Sequence, residues 1–297
     1  MLNLPMKTRV AAGLARHYPA MSGRGTIANS TLMKYFDASE PVDTFADVAA
    51  GSIKIPTHDY VGRTILYFGD LDLKISTIIN RVVSPGDVTL DIGANLGIVS
   101  LHLAQSVGPH GHVHAFEPSP LVIPYLTDTI NSNPDLRITH HGIALGREQS
   151  KLFLHIPPRN AGEATLMTDG AKNAMNSVEV SVETLSTFAA TQGLTQIDFI
   201  KIDVEGFEAE VLAGGKALLD AHIPKAILFE EHSFSRTAAL PSSLELLSGC
   251  GYELYAITKS LFGLKIVPLT NPRADSAHDF LALAPDTASL YKSRLQI

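Results

Sequence analysis

Residues 88–104 read Val-Thr-Leu-Asp-Ile-Gly-Ala-Asn-Leu-Gly-Ile-Val-Ser-Leu-His-Leu-Ala: an apolar strand, an acid at its tip, a glycine turn and an apolar helix. A chain that turns this sharply leaves backbone N–H groups bare at the helix N-terminus, where polar or anionic ligand groups are attracted. Gly93 and Gly97 supply positive φ and close backbone approach, Asn95 tolerates left-handed geometry, and Asp91 sets a carboxylate beside the crevice. The unit commits the chain to strand–helix–strand layering and reads as a cofactor cradle.

The acid narrows the cofactor. A dinucleotide fingerprint would read Gly-x-Gly-x-x-Gly, whereas this turn offers Gly93-x-Asn95-x-Gly97. A carboxylate fixed at the strand tip repels two phosphates and favours an ammonium or sulfonium group in a partly dehydrated cleft. S-adenosylmethionine carries both. Glu117 closes the next apolar segment, His112–Phe116, where an acid suits the two hydroxyls of a ribose. An NAD-dependent oxidoreductase is the alternative that Glu117 keeps open, and a non-catalytic S-adenosylmethionine-binding module is another.

At 297 residues the chain is long enough for a full core, and a net charge of −7 gives no basic footprint for nucleic acid. The single cysteine, Cys250, excludes an internal disulfide and a cysteine-based zinc site, and it suits a reducing compartment. No run approaches the ~18 apolar residues of a membrane span, so a cytoplasmic protein without a membrane span is expected. Residues 1–50 show little periodicity beyond a short helix near Arg9 to His17 and read as a variable cap; residues 51–297 form the main domain. Ile53 to Phe68 suits a hairpin or lid strands, and Leu71 to Val83 a helix before the Ser84-Pro-Gly86 break. Strand-like runs recur at His112–Phe116, Arg137–His141, Ile197–Asp203, Lys225–Glu231, Tyr252–Ile257 and Phe280–Leu283, most of them separated by helical segments. That alternation predicts a doubly wound, mainly parallel α/β sheet with helices on both faces. Arg159 to Ser177 reads as a loop, either a substrate lid or a mobile insertion.

A second strand, acid, glycine and helix follows at Ile197–Gly215, with Asp203 at the strand tip. Glu205 and Glu208 suit either charge complementarity at a helix N-terminus or a direct role. Asp203 favours a direct role, because a carboxylate at the tip of a central strand faces the ligand crevice and is costly to desolvate there. The two signatures resemble the FkbM-type family of class I S-adenosylmethionine-dependent methyltransferases. The matching pieces are D-I-G-A-N-L-G at Asp91–Gly97, A-F-E-P at Ala115–Pro118, A-L-G at Ala144–Gly146 and K-I-D-V-E-G-F-E at Lys201–Glu208. The resemblance spans about Ile65 to Leu283 and leaves the first fifty residues outside it. It implies a Rossmann-like, seven-stranded sheet with the last strand antiparallel, and O-methylation of a hydroxyl on a saccharide or small natural product. By the same resemblance Asp91 to Gly97, including Gly93, Ala94 and Asn95, hold the methionine part. Glu117 holds the ribose and Asp203 lies next to the reacting methyl. Where the adenine is expected, Gly142 to Ala144 offer backbone hydrogen bonds.

A hydroxyl acceptor benefits from a general base. Glu230, Glu231 and His232 close the strand from Lys225 at the same crevice, so Asp203 and Glu230, then His232, are the catalytic candidates. His110, His112 and His114 alternate along one strand but lack an acidic partner at ligand spacing, so no metal site is assigned. His140 and His141 fall near the expected adenine pocket, where His141 either lines it or caps the strand. His102 reads as a satisfied or exposed helix residue. Tyr60, Tyr67 and Phe68 suit core packing or an acceptor pocket.

Overall fold

The protein is seen here in a computed structural model that describes residues 4–155, 165–167, 177–234, 239–258, 260–261, 263–271, 274 and 277–297. Strands β1 (Asp43–Val48) and β2 (Gly51–Pro56) form an antiparallel hairpin. The core sheet begins with β3 (Val88–Ile92), β4 (His112–Phe116) and β5 (Ile138–His141). A small sheet interrupts it: β6 (Ala144–Leu145), β7 (Ser150–His155), β8 (Thr165–Met167) and β9 (Ser177–Glu183), in the order β6-β9-β7-β8. The chain then returns with β10 (Ile197–Ile202), β11 (Pro224–Glu230), β12 (Glu253–Ile257), β13 (Ile266–Pro268) and β14 (Asp279–Leu283).

The core sheet runs β13-β12-β14-β11-β10-β3-β4-β5. Its order reverses at β3 and β10, which pair in parallel, so the carboxyl ends there open into a crevice. β14 is inserted antiparallel between β11 and β12, as expected. The sheet has eight strands rather than the expected seven. The extra one, β13, is three residues long and pairs only with β12 at the edge, too short to announce itself in sequence.

Alternation along each strand divides the interior. Ile200, Ile202, Ile227, Phe229, Phe280 and Ala282 face a core closed by the helices Leu185–Gln192, Glu208–Gly214 and Ser242–Gly249. Phe199, Leu228, Leu281 and Leu283 face the opposite core, under Leu73–Val82, Ile98–Val107 and Pro285–Leu295. Every residue of β10 is buried, which is the mark of a central parallel strand.

The N-terminal region differs from its expectation in detail. Its first helix is Met6–Ala15, and the segment read as lid strands splits into β2 and a helix, Tyr60–Phe68. Asp59 caps that helix by accepting from the Gly62 N–H, and Gly69 ends it at φ 73°. A short apolar run does not separate strand from helix, and the cap and stop residues decide it. Tyr67 and Phe68 are buried in the N-terminal core, alongside Ile53, Ile55 and Leu101. The division expected at residue 50 falls in the turn of the β1–β2 hairpin. The expected loop at 159–177 falls mostly outside the described residues; within it lie β8 and the start of β9.

The hairpin is sewn to the core by side chains. Thr129 Oγ1 accepts from the Lys54 N–H and donates to the Leu96 carbonyl, and Asn133 bonds both backbone groups of Ser52. Thr129→Val keeps the shape and removes both bonds. It is expected to lower the unfolding free energy by about 1–3 kcal/mol, read from urea denaturation, and an unchanged midpoint would show that the hairpin docks without it.

Candidate active site

The carboxyl ends of β3, β4, β10 and β11, with the start of β14, meet around a cavity of about 440 Å³, within the size range of ligand sites. Its wall divides into three regions. Gly93, Ala94, Asn95, Phe116, Glu117, Ala144 and Leu145 form one end. Lys201, Asp203, Glu205, Glu230 and Asp279 form the middle, and Tyr60, Asp70, Asp72, Lys74, Ile75 and His102 the far side.

At the first end the turn after β3 is locked onto the end of β4. The N–H groups of Gly93 and Ala94 both donate to the Phe116 carbonyl, and Asn95 N–H donates to Glu117 Oε2 at 3.0 Å. These three donors of the turn are therefore held by the protein, and at Gly93–Asn95 the turn offers shape. Asn95 takes φ 49°, and a side chain at Gly93 would bring its Cβ to 1.9 Å from the Asp203 carbonyl oxygen, so the β3 and β10 ends nearly touch. Glu117 is 8% exposed, and its Oε1 accepts from Ser119 N–H at 2.8 Å. Burial pushes its carboxyl up to about 7, against the pull of those two N–H groups, with repulsion from Asp91 adding to the rise.

Two expected contacts are displaced. Asp91 is 1% exposed and does not line the cavity; its Oδ2 accepts from the Ser100 hydroxyl at 2.6 Å, bracing the helix that follows. Burial raises its carboxyl to about 6, opposed by Ser100 and Lys201 and reinforced by Asp203. Gly97 also lies off the wall. A Cβ there would meet Leu126 Cδ1 at 2.8 Å, so the glycine serves helix packing.

In the middle, a fully buried lysine organises four acids. Lys201 Nζ donates to the Ile202 carbonyl at 3.0 Å and lies 3.4 Å from Asp203 Oδ2. Burial alone would lower its pKa, yet Asp203, Asp279, Glu230 and Asp91 together hold it above its ordinary value. Glu230 and Asp279 are partners in the β11–β14 register. Burial pushes Glu230 up to about 8, Asp203 and Asp279 push it further the same way, and Lys201 pulls it down. Lys74, bonded to Asp279 at 2.8 Å and near Asp72 at 3.2 Å, extends the network toward the far side. There His102 Nε2 lies 3.4 Å from Asp70 Oδ2, which also accepts from Ser76 Oγ.

Asp203 and Glu230 thus meet in one cavity. His232 lies outside its wall, with a largely exposed side chain, but its Nε2 is 3.2 Å from Glu230 Oε1. Glu205 faces the cavity, whereas Glu208, the first residue of its helix, accepts from the Val204 and Gly206 N–H groups and braces the turn that precedes the helix. His114 and His141 are paired at 3.1 Å under Phe188 and do not line the cavity; burial lowers both to about 4. Among the described residues no group of three or more His, Cys, Asp or Glu is arranged to hold a metal ion. Asp279, Lys74, Asp70 and His102 also line the cavity, with no local sequence pattern that marks them. A lysine inside an otherwise buried strand was the available signal for Lys201, because such a charge requires partners.

Residues 91–254 match the methyltransferase FkbM domain, more than half of the chain. The chain belongs to this family. Its cofactor is S-adenosylmethionine, and the residues fit that molecule. Glu117 has one lone pair per oxygen committed to backbone, leaving others for a diol; Phe116, Ile143 and Leu154 offer an apolar slot; and the acids of the middle suit a cationic centre. Curated relatives include "Methyltransferase 1" of Beauveria bassiana, 30% identical over 42% of this chain and 57% of that protein. The "31-O-demethyl-FK506 methyltransferase FkbM" of Streptomyces tacrolimicus is 29% identical over 60% of this chain and 77% of its own length. The "2-O-methyltransferase NoeI" of Sinorhizobium fredii is 30% identical over 48% and 63%. The chain therefore spans less than two thirds of the length of some of its relatives. Among solved structures, an S-adenosylmethionine-dependent O-methyltransferase of Thermotoga maritima aligns with a TM-score of 0.40 at 14% identity, covering 81% of this chain and 85% of that one. Likeness this distant says nothing of substrate.

The raised carboxyl of Asp91 has a measurable consequence. Its folded value of about 6 exceeds the ordinary 3.8, so the native state binds more protons than the unfolded chain between those values. Its contribution favours folding at low pH and is lost as pH rises through that window. Urea unfolding of wild type and Asp91→Asn from about pH 4.5 to 6.5 should show wild type losing stability relative to the variant, by up to about 3 kcal/mol over the full shift. A pH-independent difference would contradict the burial argument.

Proposed function

We propose that the protein is an S-adenosylmethionine-dependent O-methyltransferase acting on a hydroxyl of a small molecule or saccharide by in-line transfer. When bound, S-adenosylmethionine supplies a methyl group on a positively charged sulfur. In this reading Glu117 accepts from the ribose hydroxyls, while Gly93, Ala94, Asn95 and Ala144 shape the cofactor end. Asp91 and Gly97 act through the turn, Asp91 by holding Ser100 and Gly97 by packing. We assign 51–297 to the methyltransferase domain and 1–50 to its cap. The single cysteine suits a reducing compartment such as the cytoplasm.

The observation that carries the reading is Glu230, a half-buried carboxyl with a raised pKa facing the same cavity as Glu117. A base matched to neutral or mildly alkaline pH is what proton removal from a hydroxyl needs. Asp203 orients the acceptor beside the methyl, and His232 offers the Glu230 proton an exit to solvent. Oxygen acceptors in the printed names of two relatives support the hydroxyl assignment.

Glu230→Gln is expected to lower kcat by about 10²–10⁴ while leaving S-adenosylhomocysteine affinity within about twofold. Wild-type kcat/KM should rise with pH up to about 8 and level off above it, because only ionised Glu230 accepts the proton. The test is transfer of labelled methyl from S-adenosylmethionine to a panel of saccharides, polyols and hydroxylated polyketides. Transfer to amines and to no hydroxyl would contradict the proposal, as would a Glu230→Gln enzyme of normal rate.

A further inference from the structure

The N-terminal helix is packed inside out. Met6–Ala15 turns Thr8, Ala11 and Ala12 inward and presents Met6, Val10 and Leu14, four residues apart, to solvent. Met6 is 80% and Leu14 73% exposed, the reverse of the usual arrangement, in which large apolar side chains go to the core. The stripe does not stand alone. Lys7 Nζ donates to the Tyr35 carbonyl at 2.8 Å and sits over the Tyr35 ring, placing the Thr31–Lys34 helix alongside. Leu32 and Tyr35, 71% and 72% exposed, extend the apolar surface.

Charge is segregated in the same place. The first 36 residues carry five basic side chains, Lys7, Arg9, Arg16, Arg24 and Lys34, and no acidic one, in a chain whose net charge is −7. Lys7, Arg9 and Lys34 are exposed around the apolar stripe. Large apolar groups ringed by cations on a convex helical face match the interface of an anionic lipid leaflet, which takes the apolar groups below its headgroups and pairs the cations with phosphate.

We propose that this face docks the protein peripherally onto an anionic membrane surface. The ring of cations favours anionic lipid, and a fluid interface conforms to an exposed helix face, whereas a second copy would need a matching groove. The helix Met6–Ala15 packs on Tyr60–Phe68, whose Tyr60 and Val61 line the cavity. A docked chain therefore holds its reaction cavity one helix away from the lipid. The docking is independent of which acceptor the cavity takes.

The test is co-sedimentation of the full chain with vesicles of equal parts phosphatidylglycerol and phosphatidylcholine, against phosphatidylcholine alone, at low and high salt. Wild type should pellet with the anionic vesicles at low salt and be released by high salt. Val10→Glu with Leu14→Glu, both at exposed positions, should weaken binding at least about tenfold with circular dichroism unchanged. Lys7→Gln with Arg9→Gln should weaken it in the same direction. Wild type remaining in solution with anionic vesicles at low salt overturns the proposal, as does equal binding by the variants. A concentration-dependent dimer in ultracentrifugation, lost in Val10→Glu/Leu14→Glu, also overturns it, by making the face an interface between copies.

Discussion

The structure turns on one buried ammonium. Lys201 sits in the central strand β10, between β3 and β11, and is 3% exposed. An unpaired charge in that position would cost several kcal/mol, so the fold brings it four carboxylates from four strand ends: Asp91 on β3, Asp203 after β10, Glu230 on β11 and Asp279 on β14. The antiparallel insertion of β14 is what delivers Asp279. Removing any one acid redistributes charge among the others. The cluster therefore couples sheet topology to the protonation of the cavity.

That coupling separates two uses of acid in one crevice. Glu117, beside the glycine turn, is tied to Asn95 and Ser119 backbone and rises through burial. Glu230, nearer the far side, rises through burial together with its acidic neighbours. The first is an acceptor of hydrogen bonds with lone pairs in reserve; the second, the base of the proposed reaction, is raised by burial and its acidic neighbours against the pull of Lys201. Environment, not residue type, makes the difference.

Much of this was legible in the chain. Strand tips are short, apolar and acid-ended, so β3, β4, β10 and β11 and the cavity-facing roles of Asp203, Glu117 and Glu230 followed from local pattern and family resemblance. Asp91 shows where local pattern ran out. Its place at a strand tip was right, but its side chain turned under the turn to Ser100, a choice set by a helix residue nine positions later. The small sheet β6–β9 escaped notice because β6 and β8 are only two and three residues long, although β9 alternates valine with polar residues throughout. Asp279 and Lys74 escaped because their partners lie more than 200 residues apart in the chain. Sequence periodicity reports which face a residue takes, not which distant strand lies beside it.

In the proposed function the buried Glu117, its carboxyl raised to about 7, receives the ribose of the cofactor. Donation from two hydroxyls favours the ionised carboxylate, so binding should expel its proton. Calorimetric titration of S-adenosylhomocysteine near pH 7, repeated in buffers of different ionisation enthalpy, measures that proton directly. The account predicts net proton release for the wild type and its loss in Glu117→Gln. Binding with no proton released, or release undiminished in the variant, would contradict it.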